Sequence, residues 1–220
     1  MNKYILIFTA FLFFSCGSDT KEVKSITSQS DTVEKDTQTK PEEGGYGFEQ
    51  IAEDMGYTTY EWNESVDKTF FGDPKASKGG TLNYIHSLFP RTMRVLGQNS
   101  SQVLNSRTIL ALCYQGLLSQ HPTTLEFIPA LASHWKISDD KMTFEFRINP
   151  DARWWDGREV TSEDVIATWD LRMDETILSP AEQITYGKFE RPVAKSKYLV
   201  SVKSKTVNWR NFLYFSTMAL

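Results

Sequence analysis

The sequence predicts a mixed α/β or α+β fold, and three observations carry that reading. Thr143-Phe144-Glu145-Phe146-Arg147-Ile148 alternates apolar and polar residues, the period of a strand with one buried face. The turn-forming run Ser138-Asp139-Asp140-Lys141 stands just before it, so this strand is the second arm of a hairpin. Thr161-Ser162-Glu163-Asp164 then places an acid three residues after a side-chain oxygen, which marks a helix start. Strands and helices interleaved in this way make a mixed architecture.

In chain order, Met1 to Ser15 reads as an export signal. Lys3 is followed by an apolar stretch from Tyr4 to Phe14, too short for a permanent membrane span of about 20 residues but suited to a signal core. It ends in Phe13-Phe14-Ser15-Cys16-Gly17, which resembles a bacterial lipobox with Phe13 where leucine is usual. On that reading Cys16 carries acyl chains, and two or more chains hold a protein on a membrane stably. The alternative is an ordinary cleaved signal with Cys16 incidental. Residues 16–50 then read as a disordered tether, because isolated Val23, Ile26 and Val33 cannot offset the entropy of ordering so polar a stretch. Pro41-Glu42-Glu43-Gly44-Gly45 closes it with turn chemistry. The folded head is expected over residues 51–220.

Within the head, Gly79-Gly80 precedes a β-prone run, Thr81 to Ile85, which Phe89-Pro90 ends. Val103, Leu110, Tyr114 and Leu117, with Ile109 and Cys113, predict a helix over about Ser101 to Leu118. Gly116 on its apolar face marks a close backbone approach or an early end. Pro129 to Trp135 is expected to be a short helix with proline in its first turn. Trp154-Trp155-Asp156-Gly157 reads as a turn beside heavy aromatic burial. The helix opened at Thr161 carries Val165, Ile166, Trp169 and Met173 on one stripe. A last strand over Tyr198 to Val202 precedes an apolar run from Trp209 to Leu220. Its Phe212, Leu213, Tyr214, Phe215, Met218 and Leu220 call for partners, and the expectation is that these lie in a longer protein of which this chain is the N-terminal piece.

Composition narrows the function classes. Of 220 residues, 24 Lys+Arg face 28 Asp+Glu, a net charge of −4 with no basic block, which argues against a nucleic-acid partner. Two cysteines exclude a disulfide scaffold and a cysteine-based zinc site. With 40% hydrophobic and 13% aromatic residues the chain can build a core. No phosphate loop, nucleophile elbow or paired histidines at helical spacing occur, and His86, His121 and His134 read as structural or surface residues. Asp139/Asp140 and Glu163/Asp164 are explained by a turn and a helix start. Cys113, on an apolar helix face, reads as a small buried hydrophobe. No catalytic group, cofactor or metal site is expected.

Four pieces, in order, resemble the family 5 extracellular solute-binding proteins of ABC importers, the dipeptide, oligopeptide and nickel binders. They are Gly79-Gly80-Thr81-Leu82; Tyr114-Gln115-Gly116-Leu117-Leu118; Ile128 to Asp140, around Pro129-Ala130-Leu131-Ala132; and Phe144 to Ile148 through Trp155-Asp156-Gly157 to Val165. The resemblance implies a two-lobed periplasmic-binding-protein-like α/β fold that closes on its ligand by hinge motion, with only the first lobe and its extra subdomain present. It also implies capture of peptides without bond breaking, delivery to a membrane permease, and a monomer. His86, Ser87 and Leu88, with Tyr114 and Gly116, are the ligand-contact residues it suggests. Two other classes stay open: a tethered sensor or structural lipoprotein using this fold, and an exported enzyme with its active site beyond Leu220.

Overall fold

A computed structural model of the chain describes residues 35–62, 75, 77, 79–81, 83, 85, 89–100 and 108–220. The signal segment, Cys16, the first half of the tether, residues 101–107 and the trio His86, Ser87 and Leu88 lie outside the described residues. Among the described residues no helix is long and apolar enough to cross a membrane.

The centre is an antiparallel sheet of β3 (Ala132–Ile137), β4 (Thr143–Ile148), β5 (Val193–Ala194) and β6 (Leu199–Lys203), in the order β3-β4-β6-β5. The β3–β4 hairpin forms at the expected acidic turn. Lys141 takes the left-handed conformation there, and the Asp140 carboxylate accepts from the Met142 N–H at 2.9 Å. A smaller hairpin precedes it, β1 (Leu118–Gln120) against β2 (Phe127–Pro129). The helices are α1 (Leu110–Cys113), α2 (Ser162–Met173), α3 (Pro180–Tyr186) and α4 (Trp209–Ser216).

Period-2 alternation puts Phe144 opposite Val202 and Phe146 opposite Val200, all buried on one face of the sheet. Helix α4 covers that face. Phe212 lies 5.6 Å from Phe146 in a stacked pair and 4.7 Å from Phe127 edge-on, while Phe215 packs on Phe146 and Phe189. Phe212, Phe215, Met218 and Leu220 are all buried in the chain's own core. The apolar C-terminal run therefore finds partners here, contrary to the expectation that it would need others. At the start of α2 the Asp164 carboxylate accepts from the Thr161 N–H at 2.8 Å, as the capping pattern predicts.

The other face of the sheet is also buried, and by residues assigned from composition to the tether. Phe48 is fully buried and packs with Ala52, Tyr57 and Leu199. Arg147, one of the two charged residues of the alternating strand, is 2% exposed rather than solvated. Its guanidinium donates to the Gly44 carbonyl at 2.8 Å, the Gly45 carbonyl at 3.0 Å and the Ser133 hydroxyl at 2.8 Å, and pairs with Glu49 at 2.9 Å. It also lies over the Phe48 ring. Gly44 is left-handed, and a Cβ on Gly45 would stand 2.0 Å from the Thr39 carbonyl oxygen, so this turn tolerates only glycine. Thr58 then pairs with Trp135 on the open edge of β3, protecting it from edge-to-edge association. Nearer the N-terminus, Lys197 bridges Asp36 at 2.5 Å and Glu159 at 2.7 Å, and Tyr198 donates to both carboxylates. Residues 35–58 are thus a strap folded onto the sheet, which corrects the tether boundary at residue 50. The strap is polar in composition because its work is done by main-chain carbonyls and salt links.

Three further expectations change. The helix expected to reach Leu118 ends at Cys113, where Tyr114 turns the chain extended. Pro129 to Trp135 is the end of β2 and the start of β3, not a helix, since Ala130 and Leu131 let the chain pass directly from one strand to the next. Trp155 is 95% exposed and Cys113 is exposed, so neither contributes the burial expected of it. Of the run Thr81 to Ile85, the described residues 81, 83 and 85 lie in no regular element.

Arg147→Ala leaves the buried Gly44 carbonyl without its donor, takes one of two donors from the Gly45 carbonyl and strands Glu49, and urea unfolding should register a loss of about 3 kcal/mol. The strap also has an acid-sensitive end. The Lys197 ammonium, with the Thr39 hydroxyl, holds the Asp36 carboxyl well below the usual carboxylate range. The unfolded chain therefore takes up that proton first, so the stabilisation is complete above about pH 4 and is lost as pH falls through the folded value. Asp36→Asn should be less stable than the parent at pH 6, with the two curves converging toward pH 2 in thermal melts.

Candidate functional site

Of the five ligand-contact residues expected, the described residues include Tyr114 and Gly116, and they have different roles. At Gly116 the chain runs against the turn after α4. An added Cβ would stand 3.1 Å from the Leu118 carbonyl oxygen and 3.1 Å from the Thr217 backbone. The Gly116 carbonyl accepts from the Leu131 N–H at 3.2 Å, and the Gln115 carbonyl from the Leu220 N–H at 3.0 Å. Gly116 thus belongs to the scaffold, as a point of close backbone approach. Those same contacts fix where Tyr114 leaves the chain.

Tyr114 is 40% exposed and lines two cavities, of about 400 and 350 Å³, which is the size range of ligand sites. Trp154 is the second aromatic shared by both. It sits at the mouth of a tight turn in which the Gly157 N–H donates to the Trp154 carbonyl at 2.9 Å and Gly157 takes a positive φ of 87°. Arg158 closes that turn by donating to Asp156 at 2.7 Å. The Trp154 N–H is taken by the Arg158 carbonyl, so the position of the indole follows from a rigid turn. Leu171 and Arg172 of α2 line the larger cavity. Arg172 is held by Glu182, by the Ala219 carbonyl at 2.8 Å and by the Tyr186 ring.

The histidines behave as structural groups where they are described. His121 is fully buried, and its Nδ1 accepts from the N–H groups of Thr123 and Thr124, closing the β1–β2 loop. Burial, with the Arg147 charge beside it, pushes the His134 imidazole below its ordinary pKa. Among the described residues no three His, Cys, Asp or Glu side chains gather at metal-binding distance. The family resemblance points to Tyr114, which periodicity alone places on the apolar face of the expected helix. The sequence assigns Trp154 to a fold-forming turn, because nothing in a Trp-Trp-Asp-Gly run says which indole faces a cavity.

The model of the bacterial extracellular solute-binding proteins, family 5 Middle, matches residues 126–220. The periplasmic murein peptide-binding protein MppA of Escherichia coli is 33% identical over 67 residues, 30% of this chain and 12% of that protein. The oligopeptide-binding protein AliB of Streptococcus pneumoniae is 31% identical over 91 residues, 39% of this chain and 13% of that one. The chain therefore aligns with about an eighth of the length of these two relatives. Among solved structures, the substrate-binding domain of an oligopeptide ABC transporter from Bacillus anthracis superposes at a TM-score of 0.47. It is 19% identical and covers 54% of this chain and 26% of that one.

Gly116→Ala should cost about 1–2 kcal/mol, since the methyl group meets backbone on two sides. Denaturant unfolding measures the loss, and an unchanged midpoint would show that the Thr217 contact yields freely.

Proposed function

We propose, from the match of residues 126–220 to the family 5 extracellular solute-binding proteins, that the protein captures peptides outside the cytoplasmic membrane for an ABC importer. The observation that carries this reading is the family match itself, together with relatives named for binding murein peptides and oligopeptides. In such a protein the output is binding, without bond making or breaking. Enclosing the ligand between two lobes removes it from water, and hydrogen bonds to its main chain hold it with little regard to its side chains. The loaded form then docks on a membrane permease as a monomer.

The anchor belongs to the same proposal. Acyl chains on Cys16 hold the protein at the membrane, and the tether that follows keeps the head within reach of the permease. Ligand contacts on this chain are assigned to Tyr114 and to His86, Ser87 and Leu88, and Gly116 acts through the backbone.

A peptide present at 100 times its dissociation constant should stabilise the protein by about 2.7 kcal/mol, seen as a rise in melting temperature. Mass spectrometry should recover the peptide intact. A library of di- to pentapeptides giving no thermal shift and no calorimetric heat would overturn the peptide assignment, and cleaved peptide would point to an enzyme. In the native host, labelled palmitate should enter the parent protein and not Cys16→Ser.

A further inference from the structure

We propose that the paired cavities at Tyr114 and Trp154 select peptides carrying an apolar side chain, a refinement that rests on the peptide-binding reading above. The walls of the larger cavity are aliphatic: Leu96, Leu110, Leu171 and Ile177 face it, with Tyr114 and Trp154 closing the side shared with the smaller one. Such a surface gains from taking a leucine- or phenylalanine-sized group out of water.

Two donors are held at that shared wall. Among the described residues neither the Tyr114 hydroxyl nor the Trp154 indole N–H makes a hydrogen bond. Aromatic side chains with a polar tip usually pair that tip when it is sheltered. Tyr114 is 40% exposed and the Trp154 indole nitrogen is not among the buried atoms left without a partner, so both donors meet water, and a peptide can replace that water with the main-chain carbonyl beside each side chain. The apolar group then fills the aliphatic cavity while its neighbouring carbonyl faces the shared aromatic wall.

Charge sets the discrimination. Arg94 and Arg172 line the larger cavity and Arg153 the smaller, while no aspartate or glutamate side chain lines either. Glu182 and Glu159 approach Arg172 and Arg153 from outside the linings. A lysine side chain entering the aliphatic cavity would lose water and meet cations without a carboxylate, so basic residues are disfavoured there.

The test is isothermal titration of the full chain with four alanyl tripeptides, whose central residue is leucine, phenylalanine, glycine or lysine. The leucine and phenylalanine peptides should bind about tenfold or more tighter than the glycine peptide, with lysine weakest. Thr168→Trp, which fills the larger cavity from α2, should abolish that preference while circular dichroism stays native. Tyr114→Phe keeps the ring and removes the hydroxyl; it should weaken all four peptides several-fold and leave their order intact. Equal binding of the four peptides by the parent, or an apolar preference surviving in folded Thr168→Trp, would overturn this selectivity while leaving peptide binding standing. Should Thr168→Trp not fold, Tyr114→Phe decides: parent-like affinity would overturn the assigned contact. Binding of none of the four by the parent would overturn both readings.

Discussion

The fold depends on one buried cation. Arg147 stands on the central strand β4 with its guanidinium out of water, and no acid of the sheet neutralises it. Its compensation comes from the strap: two main-chain carbonyls at Gly44 and Gly45, the Glu49 carboxylate and the Phe48 ring. A buried guanidinium lacking such partners would be costly, so sheet and strap must form together. Glycine at both turn positions is the condition, because the carbonyls can converge on one guanidinium only if the backbone turns left at Gly44 and passes Thr39 closely at Gly45. The Tyr57 hydroxyl on Glu145 and the Lys197 bridge to Asp36 extend the same seam in both directions.

That dependence reaches the candidate site through the opposite face. With one side of the sheet closed by the strap, Phe144, Phe146, Val200 and Val202 commit the other side to α4, and the turn after α4 is what Gly116 packs against. Tyr114, two residues earlier, is held from both sides: its N–H donates to the Leu110 carbonyl of α1 at 3.1 Å, and the chain after it is pinned at Gly116. Trp154 is fixed separately by its own closed turn. The site is therefore assembled from short segments whose ends are pinned to a rigid sheet, an arrangement suited to recognition because the scaffold and the contacting side chains can vary independently.

The hairpin, the capped helix α2 and the last strand were legible because each is a local pattern: strict alternation, an acid three residues from a cap, a β-branched run before a turn. The strap was not. Its residues are mostly polar and its few buried apolar residues, Phe48, Ala52 and Tyr57, follow no strand or helix period, so a reading by composition merges it with the chain that precedes it. Nor does alternation tell a solvated arginine from a buried one, since the partners of Arg147 lie about a hundred residues away in sequence. The error over Pro129 to Trp135 has another cause. An alanine-rich run after proline satisfies helix propensity, but the pull of β4 on His134, Trp135 and Lys136 overrides so weak a local preference. The apolar period that predicts a helix to Leu118 breaks off at Cys113, because Tyr114 turns extended and the chain beyond it is held by main-chain contacts that periodicity does not register.

The strap also bears on how an anchored protein would carry load. A tether ending at a surface residue would pull on a single strand end, and fraying there costs little. Here the chain coming from the N-terminal side meets the Asp36–Lys197–Glu159 link first, then the Gly44–Gly45 carbonyls on Arg147, and only afterwards the sheet edge at Thr58. Force along the chain is thus met by ionic and hydrogen-bonded contacts on β4 and at the start of β6, before it reaches the hydrophobic core. The cavities at Tyr114 and Trp154 are lined from α1, α2 and the Trp154 turn, none of which belongs to the strap. Strap and cavities accordingly draw on different elements, joined through the sheet between them.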